Sequence, residues 1–231
     1  KRGARVVRAG SGSAAQLWQM VAQTRPTAVV GVPSLIRRAG AYAREIGEDP
    51  RAIGVRRIIA IGEAVRNEGI ELLPAAQQLE EMWGAHVYAT YASTEQATTF
   101  CECSERRGGH LRPELAVLEI LDEVGQPAAP GKKGEVVVTP LGVRGMPLLR
   151  FRTGDVSFII DEPCACGRKT MRLAPILGRK KQMLKFKGTT LFPNMIISVL
   201  ETDAGIAGGY VEARLAEDGT DWIRVYAAAY E

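Results

Sequence analysis

The sequence predicts an α/β chain whose parallel sheet gives way to antiparallel or barrel-like strands. Three observations carry this reading. Short apolar runs alternate with helical periods up to Tyr91, β runs joined by brief turns follow after residue 110, and a mixed stretch of helix and strand begins beyond Gly178.

Taken in order, residues 14–24 set Leu17 and Val21 at helical spacing, with Trp18 and Met20 nearby, and Pro26 ends that helix. Residues 27–32 form a short buried strand stopped by Pro33 and Ser34. Residues 35–46 read as a second helix and residues 57–62 as a second buried strand. A third helix is expected over residues 69–83, its first turns disturbed by Pro74, and a third strand over residues 86–91. Alternation at this spacing argues for a parallel sheet covered on both faces. Further on, β runs are expected at 115–121, 135–139, 148–151 and 156–160. A helix over 195–200 and strands over 210–215 and 222–227 complete the chain, with no internal repeat.

Of the 231 residues, 46% are apolar, 24% charged and 6% aromatic, which excludes a disordered tail, a collagen-like repeat and a coiled coil. No run approaches the roughly 18 apolar residues of a membrane span. The basic start at Lys1 and Arg2 is followed by no apolar signal core, so a cytoplasmic protein free of the membrane is expected. The first residue is not Met, and the expectation is a removed start or a piece of a longer chain.

The formal net charge of +4 is unevenly spread. Arg168, Lys169, Arg172, Arg179, Lys180, Lys181, Lys185 and Lys187 lie between Cys164 and Thr190 with no acid among them, while the rest of the chain is net negative. Such a cluster fits a local anionic partner, or else a solvated basic turn.

The four cysteines form two tight pairs, Cys101 with Cys103 and Cys164 with Cys166. Partners one residue apart bridge each other poorly. The pairs instead resemble two jaws of a metal clip, and His110 in the loop after Cys103 adds an imidazole. Thiolates with one imidazole suit a closed tetrahedral zinc site of the structural kind. Five candidate ligands compete for four positions, and disulfides between the jaws or unrelated buried thiols stand as the alternatives.

Four segments carry the chemistry of nucleotide binding. Gly62 and Glu63 follow the second strand, and the run from Tyr91 through Thr94 to Glu95 follows the third, where ligands sit in open parallel sheets. Asp155 closes Arg152-Thr153-Gly154-Asp155 between two expected β runs, and Arg179, Lys180 and Lys181 open the basic segment. Tyr91 offers a flat face to a base, Thr94 a hydroxyl to a phosphate, and Glu95 a hard carboxylate to Mg²⁺. Asp155 suits a ribose diol, and Arg179 a forked contact to phosphate or ribose oxygens. Singly, each has a plain alternative: Tyr91 as a core aromatic, Glu95 as a first-turn acid of a helix, Asp155 as a turn residue.

Their joint order resembles the adenylate-forming superfamily, and within it the phenylacetate–coenzyme A ligase branch. The resemblance rests on Tyr91-Ala92-Ser93-Thr94-Glu95, the strand from Gly134 to Thr139, and Met146 through Phe151 to Asp155. It continues through Glu162-Pro163-Cys164-Ala165-Cys166-Gly167-Arg168, the run from Ile176 to Leu184, and Lys187-Gly188 followed by Phe192-Pro193.

The resemblance implies ATP-dependent activation of a carboxylic acid as its acyl-adenylate, followed by transfer to a thiol, that of coenzyme A. It implies part of a large domain at 1–178, then a hinge and part of a small α+β domain at 179–231. Tyr91 would stack on adenine, Thr94 would touch the α-phosphate, and Glu95 would hold magnesium. Asp155 would bind the ribose hydroxyls, Arg179 would assist at the nucleotide, and Lys181 would sit at the hinge. Gly62 and Glu63 would line the nucleotide and acyl pocket, with Pro33 and Ser34 near the acyl group. Zinc would fall to Cys103, His110, Cys164 and Cys166, leaving Cys101 spare. An aromatic or arylacetic acid is expected, with Ala60, Ala89, Ala92, Ala97 and Thr98 leaving room for it. A carrier protein as acceptor and a homodimer are further partner expectations.

Two parts of the family pattern have no counterpart in the sequence: a Ser/Thr/Gly-rich phosphate loop, which Gly10 to Ser13 is too short to be, and a late lysine of the small domain. On that ground the 231 residues alone are not expected to complete adenylation. The competing expectations are a zinc-stabilised remnant that binds an acyl group or a partner, and nucleic-acid binding through the basic run. The second is disfavoured because only Phe186 and Phe192 supply aromatics near that run.

Overall fold

In a computed structural model, residues 3–10, 12–186, 189–203, 205–215 and 221–229 are described, Lys185, Leu215 and Asp221 by backbone alone. Lys1, Ser11, Lys187, Gly188 and Glu231 lie outside the described residues. The order is α1 (Ala14–Thr24), β1 (Ala28–Gly31), α2 (Pro33–Glu45), β2 (Arg57–Ala60), α3 (Pro74–Trp83), β3 (His86–Ala92), β4 (Thr99–Cys101) and β5 (Gly109–His110). Then come β6 (Ala116–Leu121), β7 (Gly134–Pro140), β8 (Phe151–Ser157), β9 (Ile159–Ile160), β10 (Arg172–Leu173) and β11 (Gly178–Arg179). A 3-10 turn at Lys180–Gln182 leads to β12 (Leu184–Phe186), β13 (Thr189–Leu191), α4 (Pro193–Leu200), β14 (Ile206–Leu215) and β15 (Asp221–Ala229).

β1, β2 and β3 pair in parallel, and β4, β5, β10 and β9 extend the same sheet with antiparallel partners. α1 starts on a capping box in which Ser13 and Gln16 bond each other reciprocally. It ends through Arg25 in the left-handed region at φ 43° rather than through Pro26 itself. Trp18, Ile36, Ala39, Ala43, Leu79 and Trp83 pack with Val29, Ile58, Ala60 and Val87 in one core. That core lies on a single face of the parallel strands, and Val30 on the opposite face is 61% exposed. The expectation of two covered faces is corrected here. Two successive crossovers of the same hand, β1-α2-β2 and β2-α3-β3, set both helices on the same side.

Two further expectations change. The helix expected from residue 69 begins at Pro74, because proline suits the first helical position and needs no donor there. Residues 66–72 instead form a turn closed by an Arg66–Leu72 bridge, with Ile70 at φ 68°. Of the β runs expected at 148–151 and 156–160, residues 148–150 lie outside any strand, and β8 runs through the expected gap from Phe151 to Ser157 before β9. β6, β7, β8 and β11 make a four-stranded antiparallel sheet whose inner residues Ala116, Leu118, Ile120, Val136 and Val138 pack with Phe100 and Leu173. The β12–β13 hairpin, α4 and the β14–β15 hairpin follow. Among the described residues no helix is long and apolar enough to cross a membrane.

Candidate functional site

β8 carries the first functional feature. Opposite Val136 the register jumps, so that Thr153, Gly154 and Asp155 bulge out of the ladder between the Val137–Arg152 and Glu135–Val156 pairs. Gly154 supplies the left-handed φ of 77° that the bulge needs. The Thr153 hydroxyl donates to the Val136 carbonyl and accepts from the Asp155 amide. Asp155 therefore sits on a strand bulge, not in the turn between strands that was expected, and its position is fixed from both sides.

The bulge aims Asp155 at β3. The Tyr91 hydroxyl donates to its carboxylate at 2.7 Å, and the Arg179 guanidinium on β11 stands 3.4 Å from the other oxygen. Tyr91 stacks on Phe100, its register partner on β4, at 6.1 Å between ring centroids. Burial, reinforced by the Asp155 carboxylate, raises the Tyr91 phenol well above its ordinary range, so it stays a donor. Gly62, Glu63, Tyr91, Asp155 and Arg179 line one cleft of about 380 Å³. Ala89 and Ala92 line it too, whereas Ala60 faces the helical core.

Glu63 is already engaged: its carboxylate accepts from the Ser34 amide and hydroxyl, and so caps the start of α2, which has no cap of its own. The structure thereby bonds directly two segments that the resemblance had placed near one pocket. Thr94 and Glu95 stand on the exposed turn beyond Ser93, outside the cleft wall. The Glu95 amide holds the Glu95 carboxyl below its ordinary range, and the Arg179 charge adds to this. Lys181 is exposed in the 3-10 turn next to Arg179.

Sequence reasoning missed three groups at this site. Arg66 forms a buried bidentate pair with Glu102, both of them lining the cleft. Glu135 on β7 accepts from Arg152 and from Lys180, which ties the 3-10 turn to the antiparallel sheet. A larger cavity of about 600 Å³ adjoins the cleft and shares Ala64, Arg66, Ile176 and Asn194 with it. Acid–base pairs far apart in sequence carry no local signal; only the sheet register brings them together.

The thiol cluster lies at the other end of β4 and β5. Cys103, His110, Cys164 and Cys166 present ligand atoms all within 4.8 Å of one another. Tight turns aim them: the Arg106 amide bonds the Cys103 carbonyl, and the Gly167 amide, at φ 81°, bonds the Cys164 carbonyl. Cys103 and Cys164 sulfurs are 3.6 Å apart, and Cys166 lies 3.5 Å from His110 Nε2. Bonds of about 2.3 Å to sulfur and about 2.0 Å to nitrogen at tetrahedral angles give edges of this length. His110 Nδ1 sits 3.1 Å from the Thr170 hydroxyl, which orients the ring with Nε2 inward. Burial pushes the Cys103 thiol up to about 11 and lowers His110, with Arg168 and Arg172 adding to the latter. A donor set of this kind fits a single soft or borderline cation. Cys101 is turned away and receives the Thr90 hydroxyl.

Comparison with known proteins bears on the family and the fold. Residues 1–144 match the family model of the AMP-binding enzyme. A curated phenylacetate-coenzyme A ligase of Thermus thermophilus is 30% identical over 202 residues, covering 86% of this chain and 44% of that protein. One from Aromatoleum evansii is 26% identical over 219 residues, covering 91% of this chain and 47% of that protein. The chain thus spans about half the length of the curated relatives it matches. Among solved structures, a 2-hydroxyisobutyryl-CoA ligase in its postadenylation state superposes with a TM-score of 0.77 at 24% identity, covering 95% of this chain and 47% of that one. An anthranilate CoA ligase in complex with anthranoyl-AMP gives 0.65 at 17% identity, covering 93% and 41%. These likenesses show the fold.

Proposed function

Because the chain belongs to the AMP-binding enzyme family, within the phenylacetate–coenzyme A ligase branch, we propose that its cleft is the nucleotide half of a site that activates a carboxylic acid. The acid's oxygen attacks the α-phosphorus of ATP and pyrophosphate leaves with the electrons of the broken P–O bond. The sulfur of coenzyme A, or of a carrier-protein thiol, then attacks the acyl carbon, gives up its proton and releases AMP. The observation that carries this reading is the Tyr91–Asp155–Arg179 constellation at one cleft.

In this reading Asp155 accepts from the ribose diol, and Tyr91, held by Phe100 and Asp155, provides the wall for the base. Arg179 neutralises phosphate charge, as cations do in phosphoryl transfer. Thr94 and Glu95 meet the α-phosphate and its magnesium from the exposed turn beside the cleft. A magnesium ion there would offset charge on the phosphates. The cavity beside the cleft gives an aromatic or arylacetic acid room. Zinc at Cys103, His110, Cys164 and Cys166 would tie two loops together as a structural ion.

Residues 1–178 and 179–231 are then the two domains, with the hinge at Lys181. The Lys180–Glu135 pair and Phe192, packed over Gly178, support a docked arrangement of the two. Rotation about such a hinge is the step that would exchange one half-reaction for the other. The test, made with the complete parent protein, is exchange of labelled pyrophosphate into ATP, dependent on an added aryl or arylacetic acid. Loss of exchange in Asp155→Ala is expected; normal exchange in that variant would contradict the ribose assignment.

A further inference from the structure

Glu102 sits between the two cysteines of the first pair, and its side chain is 1% exposed. One carboxylate oxygen accepts from Arg66 Nε at 2.6 Å and from the Gly108 amide at 3.3 Å. The other accepts from Arg66 at 3.0 Å and from the Ala89 amide at 2.9 Å. The four donor groups come from three residues, each in a different part of the cleft or clip. Ala89 is on β3, two residues before Tyr91. Gly108 is in the loop that joins Cys103 to His110. Arg66 follows Glu63 and also bonds the Ile70 carbonyl, which fixes the 66–72 turn.

A second path runs beside the first. Gly108 and Gly109, the residues just before His110, form part of the cleft wall. A Cβ on Gly109 would lie 2.6 Å from the Phe100 carbonyl carbon, so the loop rests directly on the residue that backs Tyr91. Releasing an ion from Cys103 and His110 requires this loop to open. Opening breaks the Gly108–Glu102 bond, leaves a buried carboxylate underpaired and loosens the support of Tyr91.

We propose that Glu102 is a positioning residue that couples the metal clip to the nucleotide cleft, so that AMP in the cleft slows loss of the metal and the metal tightens AMP. The equilibrium part of the coupling is reciprocal, AMP raising the clip's metal affinity by the factor by which the metal raises the cleft's AMP affinity, and slower metal loss is how it is read here. It rests on the assignments of zinc to the four-ligand cluster and of AMP to the cleft. Arg66 serves it by holding Glu102 in a forked pair, and neither residue touches the reacting atoms.

The experiment uses the full chain with its zinc. Transfer of zinc to a chromogenic chelator is timed with and without AMP, and AMP affinity is measured by calorimetry. AMP is expected to slow zinc transfer about tenfold, a typical coupling. In Glu102→Gln the protein still binds zinc, but AMP no longer slows its transfer. Should that variant fail to fold, Arg66→Lys keeps the charge and loses the fork, and a reduced AMP effect is expected there. Equal transfer rates with and without saturating AMP in the unaltered protein would overturn the coupling while leaving both sites standing. Absence of any AMP binding would overturn the cleft assignment beneath it, and absence of bound zinc the clip assignment.

Discussion

Gly178→Ala probes the contact that joins the antiparallel sheet to the C-terminal stretch. A Cβ at this position would lie 2.7 Å from Cγ and 3.0 Å from Cβ of Phe192, with Cδ1 closer still. Carbon–carbon contacts normally lie near 3.5–4.0 Å, so the ring must retreat by about 1 Å. It has little room to do so, being 4% exposed and packed with Val156, Leu177 and Met183. Overpacking of this kind costs about 1–3 kcal/mol. The assay is urea unfolding with a double-mutant cycle against Phe192→Ala, which alone should cost about 3–5 kcal/mol through the cavity it leaves. Phe192→Ala removes Cγ and Cδ1 and leaves only the Cβ contact at 3.0 Å, so Gly178→Ala should cost about 1 kcal/mol less in that background. Hydrogen exchange should show the loss in β11 to α4, not in α1 to α3. An equal cost in both backgrounds would refute the reasoning, because it would place the effect in the backbone of β11 and not in the ring.

Other expected outcomes follow from the same geometry. Cys103→Ser should lower bound zinc well below one per chain, whereas Cys101→Ser should leave it unchanged; elemental analysis of the purified variants decides. Under the zinc assignment, chelation should expose the 103–110 loop to limited proteolysis while the α1–α3 core stays intact, since metal binding there would be folding free energy for the loops. Arg66→Met should cost about 3–5 kcal/mol because it leaves Glu102 charged, buried and unpaired, and Arg66→Met with Glu102→Met should recover much of it. Burial pushes the Glu135 carboxyl up, but Arg152 and Lys180 outweigh it and hold the folded value below the ordinary one. Its contribution is therefore complete above the unfolded value of about 4.3 and fades as pH falls through the lower folded value. Glu135→Gln should flatten the urea midpoint against pH over that acid window, and an unchanged acid slope would count against the pairing.

What was legible in the sequence had local causes. Apolar periodicity located α1, α2 and the three parallel strands, and two cysteine pairs with one histidine were enough to foresee a cluster that long-range folding then assembled. The placing of Cys103 rather than Cys101 in the cluster was not readable from spacing, because residues two apart on a strand share a face; the end of β4 at Cys101 separates them, Cys101 bonding Thr90 on the neighbouring strand while Cys103 lies in the turn beyond. Pro74 misled because proline within an apolar period looks the same whether it interrupts a helix or begins one. Asp155 was singled out, but its bulge was not, since the extra residues of β8 show only against the register of β7. The Arg66–Glu102 pair was invisible for a related reason: its partners are 36 residues apart and neither belongs to a motif.

The central claim is that Tyr91, Asp155 and Arg179 form a nucleotide cleft. Calorimetric titration of AMP into the full chain and into Asp155→Ala tests it most directly, since it requires neither acid nor thiol. Saturable binding that weakens at least tenfold in Asp155→Ala, with the variant still folding cooperatively, is the result expected. Equal AMP affinity in the two proteins would contradict the account, whatever their activity.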